Sequence, residues 1–421
     1  MARLAMDLSP LKKYRDFRLI FTAGLFSYFG SMITFVALPF QVKELTNSFW
    51  AVGLIGMVEI IPLTIFGLYG GVLADHVDRK KMIWFTEFGT LIATLVLFFN
   101  ARRENPSVIL LFVIAAIFAA LRGLKRPSQE AILPRLVSHD DLPSASALMS
   151  LRWQFGGIVG PSVGGLLVAT YGASAGYLVD CLTFAISLSL LARIKSVPPL
   201  IARTAPSIQS LVEGIRYAFS RKDLLGTYFV DLAAMFLAMP MALFPFWADE
   251  IGAPWALGLF YSSITAGAVV VTIFSGWMRH YPKHGRAVVF GALGWGVAIA
   301  FAGTSNSLII VITCLVIAGA FDQVSALFRG FIWNQSIPDE LRGRLAGIEM
   351  LSYLLGPLGG QARAGGMAAM TSLRFSVVGG GLMCIGFVIA IAAVMPAFRN
   401  YDVNKNEFAV QEAKIRKNRE K

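Results

Sequence analysis

Charge is what this sequence has least of. Asp, Glu, Lys and Arg make up 15% of its 421 residues, against about a quarter in an ordinary soluble domain. With 56% hydrophobic residues and a mean hydropathy of +0.65, the chain cannot cover a large soluble core with polar surface. Cysteine is scarce too. Cys181, Cys314 and Cys384 each fall inside an apolar run, which excludes a disulfide framework and a thiolate metal site. The four histidines, His76, His139, His280 and His284, sit in loops without ligand spacing, so no metal is expected. No Gly-rich phosphate loop is present, so ATP-driven work by this chain alone is excluded. Nothing resembles a soluble catalytic constellation; no enzyme activity and no cofactor are expected. The segment Met1 to Arg18 is polar and mixed in charge, unlike a signal peptide. Acidic residues are outnumbered 25 to 37 by basic ones, a net charge of +12. The excess lies in short loops between apolar runs, where it sets membrane topology rather than binding nucleic acid.

What is present in quantity is apolar runs of about twenty residues, the length of a membrane-spanning helix. Twelve are expected, near 18–42, 49–74, 82–100, 107–130, 143–171, 174–193, 223–247, 255–279, 286–304, 307–333, 343–366 and 371–396. Arg79, Lys80, Lys81, Arg135, Arg193, Lys195, Arg203, Arg221, Lys222, Lys283, Arg286, Arg342 and Arg344 mark one side. The other side holds little beyond Lys43, Arg102, Arg103 and Arg363. That asymmetry predicts both termini in the cytoplasm. The linker from Lys195 to Lys222 divides the spans six and six, and carries a surface helix candidate over Ile208 to Ala218. The expected organisation is an N-terminal six-helix bundle (1–194), a cytoplasmic linker (195–222), a C-terminal bundle (223–397) and a solvated, partly disordered tail (398–421). The halves echo each other roughly 200 residues apart. Asp140-Asp141-Leu142 and Gly160-Pro161 with Gly164-Gly165 return as Asp339-Glu340-Leu341 and Gly356-Pro357 with Gly359-Gly360. The fold class is therefore an all-α membrane protein, with twelve transmembrane helices in two pseudo-symmetric bundles.

Two motifs carry a family resemblance. The hairpin Gly71-x-Leu73-Ala74-Asp75-x-x-x-Arg79-Lys80-Lys81 resembles the loop between helices two and three of the major facilitator superfamily. His76 and Asp78 depart from that pattern, where a basic residue and a glycine are usual. Gly156-x-x-x-Gly160-Pro161-x-x-Gly164-Gly165 is similar to the helix-five motif frequent in the exporters of that superfamily. On physics alone these glycines share a helix face and admit a neighbouring helix closely, which an importer would tolerate as well. Leu8-Ser9-Pro10-Leu11-Lys12, Phe17-Arg18, Val52-Gly53-Leu54 and Gly70 to Asp75 resemble the enterobactin-exporter branch across nearly the whole chain. The resemblance implies a conformational lock at Gly71, Asp75, Arg79 and Lys80. It also implies a cavity lined by spans one, four, seven and ten.

An ionisable side chain at membrane depth costs at least about 2.5 kcal/mol, so each is a functional candidate. Glu59, Arg122, Asp231 and Asp322 lie within spans, with Gln323 and Arg329 beside the last. Glu59, Asp231 and Asp322 are candidate proton carriers, because burial and a movable cation shift a carboxyl in opposite senses. The competing readings are structural. Lys125 and Arg126 lie near the boundary and should snorkel. Arg152 and Asp180 suit an ion pair between spans five and six. Asp231 suits a shallow site. Arg122 is expected to face Asp322 across the cavity; the alternative is Arg122 with Glu59, and Asp322 with Arg329. The expected pocket is Tyr28, Ser31, Phe35, Arg122, Asp231, Phe236, Asp322 and Gln323, with Met235 and Met239 adding a soft apolar wall.

The expected function is proton-coupled export of a small organic molecule, such as a siderophore or drug, by a monomer in a bacterial inner membrane. The partners are the substrate, protons and the bilayer. An importer or uniporter is the alternative. A non-transporting sensor or scaffold is a further one, opposed by the cost of so many buried charges.

Overall fold

The computed structural model describes residues 7–74, 76–198, 216–217 and 219–419, with backbone alone for 72, 74, 339–354, 416, 418 and 419. Asp75 and most of the linker, including its candidate surface helix, therefore lie outside the described residues. No strand occurs among them. Twelve long helices follow in chain order: α1 Arg15–Thr46, α2 Phe49–Ala74, α3 Arg79–Ala101, α4 Val108–Leu136, α5 Leu142–Tyr171, α6 Ala173–Ala192, α7 Lys222–Ala238, α8 Leu257–Ile273, α9 His284–Thr304, α10 Leu308–Ser336, α11 Asp339–Met370 and α12 Leu373–Val394. Among the described residues, ten segments are long and apolar enough to cross a membrane. The other two, α5 and α11, are long enough at 30 and 32 residues, but glycine and polar residues dilute their apolar content.

Local chemistry explains the breaks. Pro240 and Pro245 interrupt α7, which resumes through a turn at Met241–Leu243 into the short helix Phe244–Glu250. The α5–α6 connection is the single residue Gly172 at φ +76°, a left-handed conformation that glycine adopts without strain. Ser107 and Ser372 cap α4 and α12 by accepting from the backbone N–H of Leu110 and Phe375. Several helices outrun their expected bounds; α4 continues to Leu136 through Pro127 and Pro134.

The chain forms two compact units. Unit 1 comprises Met1–Ser48, Val58–Ala205 and Ala253–Ser262; unit 2 comprises Phe49–Met57, Pro206–Gly252 and Ser263–Lys421. In unit 1, α1 packs on α5 and α6, and α3 on α4 and α6. Phe17, Ile20, Ile83, Ile132, Leu148 and Leu191 form a buried core at the end bearing the 76–81 hairpin. In unit 2, α9 packs on α10 and α12, and α7 on α11 and α12.

The tail, expected to be solvated and partly disordered, is helical in part and anchored by a few residues. Short helices at Pro396–Arg399 and Glu407–Arg419 follow α12, and Phe398, Tyr401 and Ala409 are buried. The Phe408 ring centre lies 3.4 Å from the Arg221 guanidinium, and Asn406 Nδ2 donates to Asp223 Oδ2 at 3.2 Å. The anchors are single apolar residues scattered among charges, a pattern that composition averages away. His284, expected as an ordinary loop residue, is 3% exposed at the start of α9, with its ring stacked on that of Tyr401.

Candidate functional site

Each unit sets charges among its helices, not all of them buried: in unit 1 the Arg122 side chain is 52% exposed and that of Glu59 19%. In unit 1, Arg122 Nη2 on α4 donates to Glu59 Oε2 on α2 at 2.9 Å. Three residues along α4, on the same face, Lys125 Nζ meets Glu87 Oε1 on α3 at 2.7 Å and Ser27 Oγ on α1 at 3.2 Å. The second Glu87 oxygen accepts from Ser187 Oγ on α6 at 2.5 Å. Lys125 thus does not snorkel; a carboxylate that is 1% exposed draws it into the bundle. Glu87 escaped the sequence reading because it follows Arg79, Lys80 and Lys81 closely, at the edge of its apolar run. An acid inside a span was the available signal.

Arg152 and Asp180 do not pair. Asp180, 1% exposed on α6, accepts from Thr34 Oγ1 at 2.5 Å and faces Thr183 Oγ1 at 3.4 Å. Arg152, 4% exposed, instead extends over Gly24 of α1, where any β-carbon would strike its guanidinium. Its Nε lacks a hydrogen-bond partner within the described protein. It borders a small cavity of about 10 Å³ shared with Glu87 and Gln129, room for about one water.

In unit 2, Arg329 Nη1 on α10 meets Asp231 Oδ1 on α7 at 2.7 Å, both side chains 3% exposed. Asp231 is therefore buried inside unit 2 and paired there. Asp322, two turns before Arg329 on α10, lies within the field of both Arg329 and Asp231. Gln323 Nε2 donates to Thr272 Oγ1 of α8 at 3.1 Å. Within their own units Arg122 and Asp322 each have charged neighbours: Glu59 for Arg122, the alternative to Asp322 that the sequence offered, and Arg329 and Asp231 for Asp322.

The remaining pocket candidates are dispersed. Tyr28 stacks edge-on to Trp153 with ring centres 4.1 Å apart, and Phe35 meets Tyr261 at 5.4 Å. Ser31 is half-buried on α1, and Phe236 is 40% exposed on α7. Met235 and Met239 are buried against the α11 glycines Gly356 and Gly360, so they pack a helix interface rather than line a wall. Arg363, expected at the far end of the eleventh span, lies inside α11 and donates to the carbonyls of Ser376 at 3.1 Å and Phe236 at 3.3 Å.

The glycine motif of α5 is laid against two helices. A β-carbon at Gly156, Gly160 or Gly164 would meet Tyr28, Met32 or Ile33 of α1, and one at Gly165 would strike the backbone of Gly258 in α8. In α11, Gly356 and Gly360 receive α7, while Gly365 receives Phe49 and Gly53 of α2. The echo between the halves is thus one of contacts as well as of residues. At the hairpin, Arg79 is 9% exposed and Lys80 Nζ donates to the carbonyl of Ala192 at 3.2 Å. Gly71 has open space around it. Asp78 caps α3 and also accepts from Ser196 and from the Val197 N–H. Burial opposes its charge, but these hydrogen bonds hold its carboxyl below the usual range.

Twelve long helices whose halves repeat in sequence and in contacts, with paired charges at membrane depth, define a transporter of the major facilitator type. Solved structures agree in fold. A nucleoside transporter superposes with a TM-score of 0.73 at 13% identity, covering 91% of this chain and 99% of its own. A bacterial homologue of the iron transporter ferroportin gives 0.68 at 15% identity, covering 91% and 98%. The chain belongs to the transmembrane secretion effector family, whose pattern matches residues 5–420. It is also similar to the enterobactin exporter EntS of Shigella boydii serotype 18, at 29% identity over 92% of this chain and 94% of the relative. EntS of Escherichia coli O157:H7 matches at the same 29% identity and coverage. The protein is thus a multi-pass membrane transporter of an export family, a class distinct from enzymes.

Proposed function

We propose that this protein exports a siderophore-like small organic molecule from the cytoplasm in exchange for protons. The full-length similarity to enterobactin exporters carries this reading. In this reading the chain is a monomer in a bacterial inner membrane, with both termini cytoplasmic. Segments 1–194 and 223–397 act as the two moving bodies, joined by linker 195–222 and followed by the tail. Asp75 and Arg79, with Gly71 and Lys80, act as a lock that opens and closes once per cycle. Arg122 and Asp322, with Tyr28, Ser31, Phe35, Asp231, Phe236 and Gln323, contact the substrate. Glu59, Asp231 and Asp322 carry the proton.

The Glu59–Arg122 and Asp231–Arg329 pairs support the coupling. Each pair sets a carboxylate against a cation that substrate or motion can draw away, freeing the carboxylate to take a proton. The pair thus converts occupancy into proton binding. The test is uptake of the siderophore enterobactin into inverted membrane vesicles energised by an acidic interior. Uptake that collapses when the pH gradient is dissipated is the expected result. Uptake indifferent to the gradient would refute proton coupling, and none under any gradient would refute the substrate class.

A further inference from the structure

Glu87, Lys125 and Asp180 of unit 1 have no part in that scheme. We infer that Asp180 is a further proton-binding site, linked through Lys125 and Glu87 to the Arg122–Glu59 pair. The inference deepens the proton-coupled reading and rests on it for its role in transport.

Asp180 has the environment of a carboxyl that binds a proton reversibly. It is 1% exposed, and its one strong partner is the Thr34 hydroxyl at 2.5 Å. The Thr183 hydroxyl sits 2.8 Å from the Asp180 backbone carbonyl, so its hydrogen is spent there rather than on the carboxylate at 3.4 Å. Among the described residues, no Lys or Arg forms an ion pair with the side chain. A buried anion with a single neutral donor is costly, and a proton removes that cost. The groups facing it are few. Tyr177 and Cys181 share its helix, and the Tyr177 hydroxyl is committed to Gln41 at 2.8 Å. Helix α1 presents Thr34 and the bare backbone of Gly30, α3 presents Glu87, and α4 presents Lys125, whose charge reaches Asp180 without contact.

Lys125 is what makes the site more than a local titration. It is held by Glu87, and Glu87 is fastened by Ser187, two turns along α6 from Asp180. With Asp180 protonated, Lys125 answers to Glu87 alone. When the proton leaves, a second anion in the same low-dielectric bundle competes for it. The Lys125–Glu87 contact loosens, and the strain falls on α4 three residues from Arg122. The proton on Asp180 therefore sets how firmly α4 is held, and through α4 how readily Arg122 releases Glu59.

The test is pH-difference infrared spectroscopy on the full-length protein in liposomes, reading the protonated-carboxyl stretch. A titrating band is expected that disappears in Asp180→Asn, persists in Asp322→Asn, and changes midpoint in Lys125→Met and in Thr34→Val with Asp180 intact. An unaltered band in Asp180→Asn overturns the proposal. If that variant does not fold, an unmoved midpoint in both Lys125→Met and Thr34→Val overturns it. The readout requires no substrate and no flux. A titrating Asp180 in a protein that transports without a pH gradient would therefore refute the coupling reading while leaving the proton site standing.

Discussion

Removing the carboxylate of Asp231 should be the most damaging single charge change in unit 2. At 2.7 Å and an effective dielectric of about 20, the attraction to Arg329 is about 6 kcal/mol. Desolvating the two ions costs several kcal/mol each, so the intact pair adds little net stability. The asymmetry appears when one partner goes. Asp231→Ala leaves a guanidinium 3% exposed without its contact partner, Asp322 acting on it only from a distance, and the predicted loss is about 3–5 kcal/mol. Replacing both, as Asp231→Leu with Arg329→Met, should restore the protein to within about 2 kcal/mol of wild type, because neither charge then needs solvation. The assay is thermal unfolding in lipid nanodiscs, comparing wild type, both single variants and the double variant. A single variant within about 1 kcal/mol of wild type would refute the buried pair, as would a double variant less stable than either single one.

Gly165→Leu should depress transport and melting temperature together, since its β-carbon strikes the Gly258 backbone. Gly386→Ala, in open space on α12, should leave transport unchanged and slightly raise stability in the same assays. Hydrogen bonds from Lys13 and Tyr14 hold the Asp141 carboxyl down at about 2. For a depressed acid, the stabilisation is complete above the unfolded value of about 4 and is lost as pH falls toward 2. Asp141→Asn should therefore differ from wild type in thermal unfolding at neutral pH and converge with it in acid. Phe408→Ala should cost about 1 kcal/mol by exposing Arg221, and proteolysis of the tail should accelerate; unchanged cleavage would show that the tail is not docked there.

Most of the architecture was legible because membrane spans obey a coarse rule. An apolar run of about twenty residues between basic flanks needs no partner information to be recognised. That rule located all twelve helices, including α5 and α11, whose glycines weaken their apolar signal but whose echo reinforces it. The wiring among charges was not legible. Whether Arg122 reaches Glu59 or Asp322, and whether Lys125 bends outward or inward, depends on which helix faces which. A sequence fixes each helix's contents and leaves its rotation open. Glu87 shows the limit most clearly: three basic neighbours at the boundary made it read as part of the flank, while the helix turned it into the bundle. The tail shows another, since its docking rests on Phe398, Tyr401 and Phe408 finding surfaces made by distant helices.

Export in exchange for protons is the claim most in need of a direct measurement. The purified protein should be reconstituted in liposomes, with flux of the siderophore enterobactin and internal pH recorded in the same sample. A siderophore gradient imposed without any pH gradient should drive proton movement in the opposite direction, at a fixed ratio, and Glu59→Gln should reduce that ratio. Siderophore flux with no accompanying proton flux in the wild type would contradict the account.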